Sequence, residues 1–92
     1  MTYKIVFCNE VIDQLNKLRK NDKNSYLKCF ELVLAIAINP RNGVGKPERL
    51  KGFGNTEIYS RRINDKDRII YQIIETEKCI ELISCDGHYE DK

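Results

Sequence analysis

The chain has 92 residues, 41% of them apolar and 33% charged, with a net charge of +2. That length supports one hydrophobic core, so residues 1–92 are expected to form a single domain. The longest apolar run, Leu32 to Ile38, is seven residues, too short to span a bilayer, and residues 1–7 lack a secretory signal pattern; no membrane contact and a cytoplasmic location are expected.

Residues 2–8, rich in Tyr, Ile, Val and Phe, read as a strand. Asn9 is placed to cap a helix running to about Lys20, with Val11, Leu15 and Leu18 on its inner face. After the polar break Asn21 to Asn24, a second helix is expected from about Ser25 to Ile38. Its stripe is Leu27, Phe30, Leu34 and Ile38, broadened by Leu32, Val33 and Ile36. Asn39-Pro40 ends it. Residues 39–56 hold both prolines and four of the five glycines, the composition of a long functional loop. Strands are expected at about 57–63, 68–74 and 79–85, joined by short polar turns. The order β-α-α-β-β-β describes an α+β domain, an antiparallel sheet packed on an N-terminal helical hairpin with its other face open.

The four cysteines, Cys8, Cys29, Cys79 and Cys85, show no CxxC spacing, and His88 is the single histidine. This set argues for reduced thiols and against a metal site; no cofactor is expected. Charge is segregated. Residues 41–68 carry eight basic and four acidic groups, a local excess of +4, while the rest of the chain is at −2. Such a basic stretch fits a polyanion partner, although a solvated hairpin gives the same count.

The chemistry-bearing residues are Glu48 in Gly45-Lys46-Pro47-Glu48-Arg49-Leu50-Lys51, the arginines of Ser60-Arg61-Arg62 and Asp67-Arg68, and the terminal Gly87-His88-Tyr89. Carboxylate, imidazole, guanidinium and phenol together suit RNA cleavage through the 2′-hydroxyl. That reaction needs a base, an acid and cations for the charge that builds at phosphorus. Aromatic groups hold unpaired bases.

These motifs, in order along the chain, resemble the Txe/YoeB family of bacterial toxins within the RelE/ParE superfamily. The resemblance implies a RelE/YoeB-like fold and a ribosome-dependent, metal-independent mRNA endoribonuclease that halts translation. It implies as partners a YefM/Axe-type antitoxin and the ribosome with its mRNA; family members can also form a homodimer, and the sequence does not fix the oligomeric state of this chain. Position by position, the family's general base falls on Glu48, its transition-state arginine on Arg68, its general acid on His88 and its substrate-orienting tyrosine on Tyr89. RNA-binding basic groups fall on Lys46, Lys51, Arg61 and Arg62. Two other readings stay open: a ParE-like toxin that inhibits DNA gyrase without catalysis, and a basic RNA-binding module. Neither needs Glu48, Arg68 and His88 together.

Overall fold

The computed structural model describes residues 2–85, so His88 and Tyr89 lie outside the described residues. Strand β1, Lys4–Phe7, leads into helices α1, Asn9–Asn21, and α2, Lys23–Ile38. Strands β2, Glu48–Arg49, β3, Glu57–Arg62, β4, Arg68–Ile74, and β5, Cys79–Ser84, follow. They form one sheet in the order β1-β5-β4-β3-β2, with both helices on one face. The last three strands lie within a residue of the positions expected from their alternation.

Three expectations are refined. The sheet is mixed: β2 to β5 are antiparallel, but β1 runs parallel to β5, with Lys4 opposite Cys79. A helical hairpin, not a tight turn, follows β1, and only such a long crossover lets strands run parallel. Asn9 already lies inside α1; the capping position is Cys8, whose side chain makes no cap bond and donates instead to the Leu82 carbonyl at 3.7 Å. Asp22 is the single residue between the helices. Its carboxylate accepts from the Ser25 amide at 3.1 Å, which starts α2 two residues earlier than expected; the Ser25 hydroxyl first, and then that amide, draw the Asp22 carboxyl below its ordinary range.

The inner face of α2 also differs from the expected stripe. Ser25, Cys29, Leu32, Val33 and Ile36 are buried, whereas Leu27, Phe30, Leu34 and Ile38 face outward. The helix carries two apolar stripes, so periodicity alone cannot choose between them. Polar contacts at the N-terminal end set the rotation. Asn64, in the β3–β4 turn, donates from Nδ2 to Ser25 Oγ at 2.7 Å, and Ser25 Oγ donates to Asp22 at 2.7 Å. The Ser25 side is thereby turned to the sheet. The core there joins Val11 and Leu15 of α1 and Cys29, Leu32 and Ile36 of α2 with Ile69, Tyr71, Ile73, Ile80 and Leu82 of the sheet.

Arg61 is wholly buried within this fold. Its Nε donates to Tyr71 Oη at 3.1 Å, Nη1 to the Val44 carbonyl at 3.1 Å, and Nη2 to the Asn39 and Asn42 carbonyls. Tyr71 in turn donates to the Pro40 carbonyl at 2.7 Å. The guanidinium thus gathers the end of α2 and the loop after it around one positive charge, where unsatisfied helix carbonyls favour a cation. Gly45 closes the wrap with φ +87°; a Cβ there would lie 2.8 Å from Leu32 and 3.1 Å from Arg61.

A second ionic knot sits at the other end of β3. Arg41 grips Glu57 through two hydrogen bonds of 2.9 and 2.8 Å and reaches Glu75 at 3.0 Å; Glu75 also accepts from Tyr3 and pairs with Lys78. The Glu57 carboxyl is held below its ordinary range chiefly by Arg41. That of Glu75 is held at about 2, by Lys78 first and then Tyr3 and Arg41.

Arg61→Ala strips a buried network, and the fold should lose about 2–4 kcal/mol, read as a lower urea midpoint; Gly45→Ala should lose about 1–3 kcal/mol through strain and overpacking. Because both knot carboxyls are depressed in the folded state, their contribution is complete above the ordinary carboxylate range near pH 4.5 and fades as pH falls toward 2. Urea unfolding of Glu57→Gln should therefore show a shallower loss of stability with acid than the parent chain.

Candidate active site on the open sheet face

Side chains alternate along β3, so Tyr59 and Arg61 point toward the helices while Ile58, Ser60 and Arg62 point to the open face. Register carries that alternation across the sheet. Glu48 lies opposite Ser60, Ser60 opposite Ile70, and Arg62 opposite Arg68. Leu50, Ile58 and Ile70 form a small buried cluster on this open face. Glu48, Arg62 and Arg68 therefore share one surface above an apolar floor.

The residues meet there. Arg68 Nη1 donates to Glu48 Oε1 and to Ser60 Oγ, each at 3.4 Å. The Glu48 side chain is 65% exposed and that of Arg68 33%, so the pair is open to a ligand. Glu48 was expected in a loop; it lies on the two-residue strand β2, too short to leave a periodic signal. The segment before it is also tied to the sheet, because the Arg62 amide donates to the Gly45 carbonyl at 2.7 Å. Lys46, next in line, is exposed with φ 54°. Lys51 is exposed one residue past Leu50, whose amide donates to Ile58 at 2.8 Å.

Arg61 is the exception among the expected RNA-binding residues. It shares none of this surface: it is buried on the opposite face with its nitrogens committed to Tyr71 and three carbonyls. A phosphate has no path to it without unpacking the core. Ser60 is the residue the sequence did not single out. Nearly wholly buried, it sits beneath Arg68 and accepts from it; its place between Tyr59 and the two arginines was the available signal.

The described chain ends close by. Ser84 lies opposite Ile70 across a register shift, so β5 runs toward the Arg68 end of β4. There the Cys85 amide donates to Gln14 Oε1 of α1 at 2.8 Å. His88 and Tyr89, expected as acid and orienting phenol, lie outside the described residues, and their meeting with Glu48 and Arg68 is untested. What the described surface offers is a carboxylate acceptor and a guanidinium donor side by side, flanked by cations. That is an arrangement for gripping a phosphodiester and taking a proton beside it.

Residues 7–89 match the family model of the YoeB-like toxin of bacterial type II toxin–antitoxin systems. Toxin YoeB of Synechocystis sp. is 40% identical over 72 residues, 78% of this chain and 80% of that protein. Among solved structures, the YoeB dimer from Staphylococcus aureus superimposes with a TM-score of 0.82 at 33% identity, covering 97% of this chain and 100% of that one. The heterotetrameric YoeB–YefM toxin–antitoxin complex from the same organism gives 0.77 at 34% identity, covering 97% and 100%.

An exposed pair such as Glu48–Arg68 contributes little to folding, about 0–1 kcal/mol. Glu48→Gln and Arg68→Ala should therefore unfold within about 8 °C of the parent chain in a thermal melt. A larger fall would mark the pair as structural.

Proposed function

Because the chain belongs to the YoeB-like toxins of bacterial type II toxin–antitoxin systems, we propose that it is a ribosome-dependent mRNA endoribonuclease. It cleaves by attack of the 2′-hydroxyl on the adjacent phosphorus, without metal, and so stops translation in the cytoplasm. The observation that carries this reading is the Glu48–Arg68 pair on the open face. A toxin that only bound gyrase would have no use for a proton acceptor placed beside a phosphate-binding arginine.

In this mechanism the scissile phosphate takes the guanidinium of Arg68, displacing Glu48 from it. Glu48, freed of its partner, accepts the 2′ proton. Arg68 stabilises the added negative charge on the phosphate oxygens as the phosphorus becomes five-coordinate, the point at which a preorganised cation acts most. Ser60, by accepting from Arg68, keeps the guanidinium over the apolar floor. Arg62, Lys46 and Lys51 take flanking phosphates. His88 supplies the proton for the departing 5′ oxygen, and Tyr89 orients the substrate. His88 is three residues beyond Cys85, a reach of at most about 11 Å of chain. The products are a 2′,3′-cyclic phosphate or 3′-phosphate and a 5′-hydroxyl.

The partners follow the relatives. The Staphylococcus aureus protein assembles with a YefM antitoxin and, in another structure, is a dimer; we propose both for this chain. The antitoxin segment folds as it binds, bringing acidic and apolar side chains to the basic 41–68 surface.

Primer extension on mRNA in a translation reaction tests the activity. The parent chain should cut only ribosome-bound message and leave 5′-hydroxyl ends; 5′-phosphate ends would overturn the 2′-hydroxyl route. Arg68→Ala and His88→Ala should each slow cleavage by about 100-fold or more while remaining folded. Full activity in either would overturn its assigned role.

A further inference from the structure

The loop between β2 and β3 carries an aromatic side chain that neither the fold nor the proposed reaction uses. Phe53 is 41% exposed and belongs to neither apolar cluster. Tyr26 pairs with Phe30, and Tyr59 with Tyr71, at 5.1 and 6.0 Å between ring centroids; Phe53 has no ring partner among the described residues. A single exposed hydrophobic side chain is ordinary, but the backbone around this one is not. The Thr56 amide donates to the Phe53 carbonyl at 3.0 Å, closing a four-residue turn. Gly54, with φ +59°, takes the position in it that an L side chain avoids, and Gly52 precedes it with φ +94°. A Cβ at either glycine would meet nothing within 4 Å. Unlike Gly45, these glycines shape the turn without packing against anything, and the chain on both sides of Phe53 stays uncovered. The base of the loop is fixed, because the Leu50 amide donates to Ile58 at 2.8 Å. Phe53 is thus presented from the end of the strand that carries Glu48.

We propose that Phe53 is a base-stacking subsite: an unpaired base of the message, close to the cleaved linkage, stacks on its ring while Lys51 takes the adjoining phosphate. The proposal rests on the reading of Glu48 and Arg68 as an RNA-cleaving pair and adds where a neighbouring nucleotide sits. Charge favours RNA as the occupant. Residues 49–56 include Arg49 and Lys51, both exposed, and no acid; the next acid, Glu57, is held by Arg41. Cations interleaved with an aromatic side chain grip single-stranded nucleic acid, the cations on the backbone and the ring on a base. A protein segment docking at this loop would meet one isolated ring instead of an apolar groove. Spacing then places the base. Leu50 lies about 7 Å along the strand from Glu48, and Phe53 lies further out in the loop. The stacked base therefore belongs to a neighbour of the scissile linkage, not to the linkage itself. Because stacking strength sets the preference at such a platform, a purine is favoured at that position.

The chain has no tryptophan, so Phe53→Trp in the full chain places a single indole reporter in the loop. The probe is a short oligoadenylate made uncleavable by 2′-O-methyl groups. It should quench the indole emission saturably, and the same oligomer with abasic residues should bind at least about fivefold more weakly. In ribosome-dependent cleavage, Phe53→Ala and Phe53→Leu should each cut about 5- to 100-fold less efficiently, with the parent's circular dichroism, while Phe53→Trp stays near the parent. Equal quenching by the intact and abasic oligomers would overturn stacking. Parent-like cleavage by Phe53→Leu, which keeps apolar bulk but loses the aromatic face, would overturn the proposal too; a simultaneous loss of antitoxin capture would assign the ring to that protein. Weakened cleavage by Phe53→Leu with no quenching by the free oligomer would assign the base to ribosomal RNA and overturn the message as its source. A parent chain that cuts no message, with base-dependent quenching intact, would overturn the cleavage reading and leave the subsite standing.

Discussion

A single buried positive charge organises this molecule. Among the described residues Arg61 has no carboxylate partner; its charge is met by carbonyls at the end of α2 and in the loop that follows, and by the hydroxyl of Tyr71. The Asn39 carbonyl at the C-terminal cap of α2 and the loop carbonyls of Asn42 and Val44 would otherwise be desolvated without a donor. The arrangement is reciprocal: the loop satisfies the guanidinium, and the guanidinium fixes the loop. Because the loop is fixed, Gly45 can pair with Arg62, Glu48 can join the sheet, and a carboxylate arrives beside Arg68. Remove the buried charge and the open face loses the element that carries its acidic residue.

Arginines within eight residues of one another thus have different fates, decided by the two-residue period of a strand. Arg61 points inward and holds structure. Arg62 and Arg68, in register on adjacent strands, point outward and leave like charges side by side. Two cations so close repel each other in an empty site, and Glu48 offsets part of that repulsion. A phosphate would offset more. The ligand-free surface is therefore already arranged around the charge it is proposed to receive.

Much of this was legible in the sequence. Alternation located β3, β4 and β5 because these strands are long and bounded by polar turns, and the Glu48, Arg62 and Arg68 motifs named the open surface. What was hidden was orientation. Nothing local distinguishes Arg61 from Arg62 until the pairing register is known, since a one-residue shift exchanges their faces. The inner face of α2 was hidden for a similar reason: with apolar residues on two sides, the choice fell to Ser25 and Asn64, a contact between residues far apart in the chain. The acid–phenol end, His88 and Tyr89, was named by sequence alone.

The parallel edge of the sheet bears on how the molecule comes into being. β3 with β4, and β4 with β5, are hairpins that close over short loops, but β1 must find a partner 75 residues away, Lys4 against Cys79. Such a contact carries a large loop-closure entropy and forms late. While the chain is being synthesised, β1 has no strand to pair with until residues 79–84 have emerged, although the helices can already pack on β3 and β4. Assembly of the open-face surface and completion of the sheet are therefore separate events in time, the local hairpins first and the long-range edge last.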